Sequence, residues 1–383
     1  MSDLTEDLIQ GQVGNEPLMA YPWKPHADRL ILWAKGKSET HCAFAFDFLM
    51  SLAYVDTISD IQRHFKVYEG LPAPYSMHFG FINLCAPLFI EKGAWFYQKA
   101  AKPQSGAIGK LTSEIVLRFI ELVFPNLTRV RAVGGVGSAD AVLRHADGRT
   151  ILCEVKASPL TTFPFLLSSP TRQSDATPNK LTRTQIQDLD SALYMHCQEL
   201  IPLGRPKDDL WPFCSAVNFI VEECNRSKVD LFVETWQQIR EAYIKRDRGS
   251  KYYYVANASG HPPKNAKEDF DWPARESVSD SKTSAGMDRT DDIKKGIYQT
   301  FKLSVDANRR FAKYGIKTAL ISNLPAYRHG EDYVEPFYDI YWGYEASFVK
   351  EKSGHYKCQE DDLKRPFDYI IALEDAFLRN DLV

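Results

Sequence analysis

The chain has 383 residues, of which 44% are hydrophobic and 25% are charged. This composition is typical of a globular protein and excludes a largely disordered chain. A net charge of -3 argues against a binder that depends on basic tails, but it is compatible with a local cluster of carboxylates. The seven cysteines have neither C-x-x-C pairing nor zinc-ligand spacing, and no apolar run is long enough to cross a membrane. We therefore expect a cytosolic protein with reduced thiols.

The first hundred residues are predicted to form a helical region. Apolar residues recur with helical spacing over 26–66, which favours two or three helices after a poorly ordered leader over 1–25. A further apolar segment covers 88–98. The boundary with the next region is placed near residue 105, in the turn-rich stretch KPQSGAIGK.

One helix followed by three strands is predicted over residues 112–157. Apolar residues in 112–123 are spaced for one buried helix face, and the alternation in 128–133 and 138–145 is typical of strands. Asp147-Gly148 is a hairpin signal, and TILCEVKA over 150–157 indicates a third, more apolar strand.

A charged pair interrupts this third strand. The pattern [D/E]-x-K occurs four times in the chain, but only Glu154-Val155-Lys156 lies at the end of an apolar strand. Burying charges is costly unless they are paired or bind a metal. Glu154 and Lys156 share one strand face because side chains alternate with period two.

The hairpin loop decides whether Asp140 joins them. A two-residue turn would pair Asp140 with Val155 and turn its side chain to the other face. A three-residue loop, Ala146-Asp147-Gly148, pairs Asp140 with Glu154, and Gly148 supplies the left-handed residue that this loop needs. We predict the three-residue loop or an equivalent bulge.

Two carboxylates beside an ammonium group are suited to phosphodiester hydrolysis. Asp140, Glu154 and the carbonyl of Val155 offer the oxygen ligands that Mg²⁺ prefers. Lys156 is expected to contact the scissile phosphate or the attacking water. The simpler alternative is a salt-bridged sheet edge without chemistry. We favour the nuclease site because the strand setting, the hairpin parity and the helix that precedes the strands agree.

Asp140, thirteen intervening residues and then Glu154-Val155-Lys156 on an apolar strand resemble the PD-(D/E)xK nuclease superfamily, which includes most type II restriction endonucleases. The resemblance covers about 45 residues and departs where Ala139 replaces the usual proline. It implies an α/β (α+β) fold with a restriction-endonuclease-like core, a central mixed sheet flanked by helices. It also implies Mg²⁺ as cofactor, double-stranded DNA as substrate, a homodimer, and a bacterial or archaeal cytosol. Glu114 matches the acid often found on the first helix of that core.

The resemblance requires another helix and strand after the lysine. Two candidate pairs are 182–200 with 213–221, and 291–311 with 317–323. We favour the second pair, because Gln299 and Lys302 on its helix resemble an accessory motif that contacts phosphate. The core then covers 106–330.

Under this division residues 160–290 are an insertion suited to DNA recognition, and 331–383 form an extension packed on the core. Lys245, Arg246, Arg248 and Lys251 stand beside three tyrosines, a combination that suits phosphate and base contacts. The favoured function is a site-specific type II restriction endonuclease. The alternatives are a repair, transposition or defence nuclease on the same core, and an inactive DNA-binding or scaffold protein.

Overall fold

The structure is a computed structural model that describes the following residues: 21–57, 64–66, 75–78, 87–90, 94–97, 105–132, 139–161, 163, 165–168, 179–180, 182–195, 197, 199–256, 286–288, 290–327 and 329–373. The α-helices are α1 (Lys24–Lys35), α2 (Glu39–Asp56), α3 (Ser105–Val123), α4 (Arg183–Gln187), α5 (Phe213–Val221), α6 (Arg226–Ile244), α7 (Thr290–Phe311) and α8 (Gly330–Tyr333). The strands are β1 (His64–Lys66), β2 (Tyr75–His78), β3 (Pro87–Ile90), β4 (Ala94–Tyr97), β5 (Leu127–Ala132), β6 (Ala141–His145), β7 (Thr150–Lys156), β8 (Phe165–Ser168), β9 (Asn179–Lys180), β10 (Ser191–Tyr194), β11 (Leu200–Gly204), β12 (Lys317–Ser322), β13 (Phe348–Lys350), β14 (Tyr356–Cys358) and β15 (Tyr369–Ala372).

A mixed five-stranded sheet carries the predicted site. Its order is β15-β12-β7-β6-β5. Strands β5, β6 and β7 pair antiparallel, whereas β7, β12 and β15 are parallel. The protein is therefore a mixed α/β protein in which helices flank a mixed sheet, and β7 is the strand where the antiparallel part of the sheet meets the parallel part.

Helices cover both faces of this sheet, and the alternation of β7 decides what each helix meets. Cys153 and Val155 project into the large core that contains α3. Leu152 projects to the other face and packs against Leu303 and Ala307 of α7. Glu154 and Lys156 share the parity of Leu152, so they lie on the α7 face.

A second sheet joins strands that are distant in the sequence. Its order is β11-β10-β8-β2-β1-β9, so it combines strands from the first hundred residues with strands that follow β7. Two further hairpins, β3-β4 and β13-β14, stand as separate two-stranded sheets. No helix within the described ranges is long and apolar enough to cross a membrane.

The second candidate pair completes the core sheet. Helix α7 and strand β12 lie close to the predicted 291–311 and 317–323, and β12 pairs directly with β7. The first candidate pair is wrong. Residues 213–221 form helix α5, and 182–200 contain a short helix and strand β10 instead of one long helix. Phe213, Ala216, Val217 and Ile220 are buried at helical spacing, but an apolar run this short does not distinguish a helix from a buried strand.

Several smaller predictions also need correction. The aromatic run 252–256 is typical of a strand, but these residues lie mainly in a 3-10 turn. The Pro-, Ser- and Thr-rich composition of 158–180 predicts a loop, but this segment contains β8 and β9. Strands also occur within the region 1–105 that was predicted to be helical. Three stretches lie outside the described residues: the first part of the leader, the Gly-rich 134–137 whose composition predicts a turn, and the polar 257–285 whose composition predicts a loop.

Gly296 sets how closely α7 approaches the sheet. A Cβ atom at this position would lie 2.9 Å from Leu320 Cδ1 and 3.6 Å from Lys156 Cγ. Leu320 is fully buried, so its side chain has little room to move away. The absence of a side chain at Gly296 therefore lets α7 lie directly against the strands that carry the site.

We expect Gly296→Ala to lower the free energy of unfolding by about 1–3 kcal/mol relative to the matched variant Gly109→Ala, because it overpacks the contact with Leu320. Gly109 lies in α3, where an added Cβ atom would meet no other atom within 4 Å, so alanine there should stabilise the helix by about 0.5–1 kcal/mol. Urea denaturation of both variants measures the difference. Equal shifts in the two variants would contradict close packing at Gly296.

Candidate functional site

The β6–β7 hairpin has the predicted register. Ala141 pairs with Cys153 and Arg144 with Thr150, and the His145 amide donates to the Arg149 carbonyl at 3.0 Å. Three residues therefore form the loop, and Gly148 adopts a φ of 93°, a conformation that glycine adopts without steric cost. The prediction of a three-residue loop is confirmed.

Asp140 lies where this ladder ends, opposite Glu154. Its amide donates to the Cys153 carbonyl at 2.8 Å, and its Oδ2 accepts from the Val155 amide at 2.9 Å. The charge of Asp140 raises the pKa of Glu154, as expected for two carboxyl groups that lie opposite each other on one strand face. The structure therefore brings the two predicted carboxylates together at one end of β7.

Lys156 completes the group. Its Nζ forms a short contact with Glu154 Oε1 and lies 3.4 Å from the Val155 carbonyl oxygen, to which it donates. These are the two oxygens, besides those of Asp140, that the sequence predicts as metal ligands. In the structure the ammonium of Lys156 donates to both of these oxygens.

The position of Glu154 opposes the loss of its proton. Glu154 is buried, with 7% of its surface exposed. Burial, and then the charge of Asp140, raise the pKa of Glu154 to about 7 although Lys156 acts in the opposite direction. Two carboxylates this close relieve their repulsion by sharing a proton or by binding a cation.

Lys156 responds to its carboxylate neighbours. Burial by itself lowers the pKa of this amine, but Glu154, Asp140 and Asp292 raise it, and the pKa lies above its ordinary value. Lys156 therefore carries a positive charge at neutral pH. It can donate hydrogen bonds and offset negative charge, but it is not suited to act as a base.

Asp292 also acts on the site, although its place in the pattern Asp292-Ile293-Lys294 at the start of a predicted helix indicates only ordinary helix capping. It lies in the first turn of α7, one turn before Gly296, and its charge acts on Lys156. Residues four apart share a helix face, so the close approach at Gly296 brings Asp292 towards the site. The sequence contains an acid four residues before a helical glycine. Only the packing of α7 on the sheet shows that this acid lies near Lys156.

The accessory residues on α7 have different positions relative to the site. Gln299 is half-buried and lies between Gly296, which packs near Lys156, and Leu303, which packs on Leu152. Gln299 therefore lies in the part of α7 between the contacts with Lys156 and with Leu152. Lys302 is half-buried on the flank of the helix, and it forms no ion pair with the site carboxylates in the described structure.

Glu114 does not join the group at the end of β7. It is half-buried on α3, which packs on the sheet face opposite to Glu154 and Lys156. Its charge is absent from those that shift the pKa of Glu154 or of Lys156. A metal-binding role for Glu114 stays a prediction that this geometry does not favour.

The predicted basic cluster lies at the end of α6. Lys245, Arg246 and Arg248 are exposed, and Lys245 forms an ion pair with Glu241 at 3.2 Å. Lys251 begins the 3-10 turn that follows. The three exposed residues face solvent at the C-terminal end of a helix. This position is compatible with a DNA-contacting surface and equally with an ordinary solvated helix end.

The donor set has the chemistry that Mg²⁺ requires. Asp140, Glu154 and the Val155 carbonyl supply hard oxygen ligands, and Mg²⁺ usually keeps several waters beside one or two carboxylates. No group of three or more His, Cys, Asp or Glu side chains arranged to hold a metal occurs in the described part of the chain. The two adjacent carboxylates, one with a raised pKa, fit an ion that takes few ligands from the protein.

Buried polar contacts support the chain immediately after Lys156. Ser158 donates its amide to Asn323 Oδ1 at 3.0 Å, and Asn323 Nδ2 donates to the Ser158 carbonyl. This pair ties the ends of the parallel strands β7 and β12 together. The site thus lies on a strand end whose backbone is anchored to its neighbour.

Asp47 of α2 anchors the next residues. Its carboxylate accepts from the Leu160 amide at 2.6 Å, the Thr161 amide at 3.1 Å and Trp236 Nε1 at 2.8 Å, and also from the Thr161 hydroxyl. Burial raises the pKa of Asp47 to about 6, although these hydrogen bonds lower it. One buried acid therefore joins α2, the segment after β7, and α6.

We expect the difference in unfolding free energy between the wild type and Asp47→Asn to fall by about 3 kcal/mol as the pH rises from about 3.8 to about 6. A carboxyl with a raised folded-state pKa holds its proton longer in the folded than in the unfolded chain. The stability that protonation contributes is therefore present at low pH and lost through this window. Denaturation curves across the window test this, with the exposed Asp361→Asn as control. A pH-independent difference for Asp47→Asn would contradict the raised pKa.

Comparison of the chain with models of known families, with curated proteins and with solved structures gave no match.

Proposed function

We propose that this protein is a Mg²⁺-dependent endonuclease that hydrolyses phosphodiester bonds of double-stranded DNA. The observation that carries the proposal is the convergence of Asp140, Glu154 and Lys156 at the end of β7. Two carboxylates and an ammonium that share one buried strand end offer both a cation site and a positive group for a phosphate.

The order of elements around the site supports the same proposal. Helix α3, strands β5, β6 and β7, helix α7 and strand β12 follow one another in the order that the resemblance to PD-(D/E)xK nucleases predicts. The helix-and-strand pair after Lys156 is recovered with β12 directly beside β7. Asp292 on α7, which acts on Lys156, would take the place of Glu114 on α3 as the acid contributed by a helix.

The residues have distinct roles in the proposed reaction. Mg²⁺, when bound, supplies Lewis-acid stabilisation of the charge that develops on the phosphate. Asp140, Glu154 and the Val155 carbonyl would hold it. Lys156 stays protonated because three carboxylates surround it, so it is suited to donate to a phosphate oxygen or to orient water.

A site-specific type II restriction endonuclease that acts as a homodimer is the form of this proposal that we favour. A two-fold protein reads a palindromic site most simply, because each subunit contacts the same half-site. A repair, transposition or defence nuclease would use the same three residues on another form of DNA. A scaffold that only binds DNA would not depend on Lys156 and its paired carboxylates.

We expect the wild type to cut plasmid and phage DNA in the presence of Mg²⁺ and not in EDTA. Asp140→Asn, Glu154→Gln and Lys156→Met should each lower the cleavage rate by at least about 100-fold, as loss of a preorganised charge typically does. Gel electrophoresis with time measures the rates. Asp292→Asn should have a smaller effect, because it acts on the site through Lys156.

Another [D/E]-x-K sequence in the chain provides the matched control. Asp362-Leu363-Lys364 lies outside the core sheet, on an exposed 3-10 turn and the residues that follow it, so Asp362→Asn and Lys364→Met should cut at the wild-type rate. Discrete bands would identify a restriction enzyme, and smears or cutting only of nicked or branched DNA would identify another nuclease. A folded wild type that binds DNA but cuts none would contradict the nuclease function and favour the DNA-binding scaffold.

We expect Mg²⁺ or Ca²⁺ to raise the melting temperature of the wild type but not of Asp140→Asn. At a cation concentration of about 100 times the Kd, the stabilisation is about 2.7 kcal/mol. The effect should grow as the pH rises through about 7, because a proton on Glu154 competes with the cation. Thermal unfolding with and without the cation measures it, and an equal shift in Asp140→Asn would place cation binding elsewhere.

A further inference from the structure

A cavity of about 600 Å³ lies on the α7 side of the core sheet, beyond β12. Its floor includes Ile370 and Ala372 of the edge strand β15. Ala372 pairs with Ser322, which pairs with Lys156, so two strand spacings, about 10 Å, separate the floor from the site. The volume falls within the range of small-molecule sites in proteins.

The lining combines an apolar interior with aromatic walls. Met287 and Val334 are buried beside the floor, and four aromatic side chains surround the space: Tyr327, Phe337, Tyr338 and Phe367. Tyr338 is 55% exposed, which leaves its ring accessible to a ligand. Flat aromatic walls around an apolar floor suit a planar ring system, because stacking on such rings is favourable for any heterocycle.

Two arginines and two acids, Glu335 and Asp368, line this cavity. Asp368 is paired with Lys317 at 3.0 Å, so the two arginines exceed the remaining acid in charge. Arg246 comes from the end of α6, and Arg365 precedes β15. Both are exposed, and neither forms an ion pair with a carboxylate within the described parts of the chain. Guanidinium groups bind phosphate through two parallel hydrogen bonds, so they supply the anion-binding half of a ligand site.

The backbone of Arg246 follows from the way α6 ends. Its φ is 55°, its amide donates to the Tyr243 carbonyl at 3.1 Å, and the Asp247 amide donates to the Ala242 carbonyl at 2.9 Å. This is the geometry of a helix C-terminal cap with a left-handed residue. The cap ends α6 beside the cavity, which Arg246 lines.

We propose that this cavity binds one nucleotide, with its base against the aromatic walls and its phosphate at Arg246 and Arg365. The choice of a nucleotide among phosphorylated ring compounds rests on the proposed function. The cavity itself shares Met287, Val334 and Phe367 with the cluster that packs against the N-terminal half of α7. A bound nucleotide therefore contacts the support of the helix that carries Asp292.

A nucleotide bound in this cavity could come from two sources. One is an unpaired nucleotide of the DNA that is cut, since the floor lies about 10 Å from Lys156 across the sheet. The other is a free nucleotide that binds as an effector.

Calorimetric titration with deoxyadenosine 5′-monophosphate in EDTA tests the site without any cleavage. We expect binding by the wild type, and affinity about 10- to 100-fold weaker in Arg246→Ala and in Arg365→Ala, as loss of a charge-assisted hydrogen bond predicts. Tyr338→Ala should weaken binding about 5- to 150-fold through lost stacking. Arg183→Ala, a substitution of an exposed arginine on α4, is the matched control and should bind as the wild type does.

Binding of labelled duplexes in Ca²⁺ then distinguishes the sources. Tighter binding of a duplex with one unpaired nucleotide than of a paired duplex, lost in Arg246→Ala, identifies the substrate as the source. Equal binding of both duplexes, with mononucleotide binding retained, identifies a free nucleotide. No wild-type heat at millimolar mononucleotide, or unchanged affinity in both folded arginine variants, overturns the proposal. The titration needs no cleavage, so it tests the nucleotide site even if the protein proves to have no nuclease activity.

Discussion

The pairing of Asp140 with Glu154 across the β6–β7 hairpin is the constraint on which the site depends. Side chains alternate along a strand, so a shift of one residue would turn Asp140 to the opposite face. The three-residue loop that ends at Gly148 holds the register. The same alternation sends Cys153 and Val155 into the core under α3, so the register that assembles the site also buries the other side of β7.

A group of charges on a buried strand end has to be compensated, and the structure does this at two levels. Lys156 contacts Glu154 directly, and the Val155 amide donates a hydrogen bond to Asp140 that holds its side chain in place. Beyond the strand, Asp47 and Asn323 bind the backbone that follows. Buried polar groups with complete hydrogen bonding make a structure rigid, so these anchors limit the freedom of the chain on which the site is built.

Helix α7 links the site to the rest of the molecule. Gly296 permits its close approach to Leu320 and Lys156, and that approach brings Asp292 within electrostatic reach of Lys156. The side of α7 towards β15 packs in the cluster that lines the cavity. One helix therefore borders the carboxylate site on one side and the proposed nucleotide site on the other, and its position depends on a single residue without a side chain.

The sequence by itself determined the local features. Alternation and the Asp147-Gly148 turn predicted β5, β6, β7 and their register, because these depend on residues close together in the chain. The apolar run 213–221 was mistaken for a strand because local composition does not choose between the two structures. Only the tertiary structure decided three other features: the pairing of β8 with β2, the approach of Asp292 to Lys156, and the cavity beside β15. Each depends on contacts between segments far apart in sequence, and no local periodicity records which segments will meet.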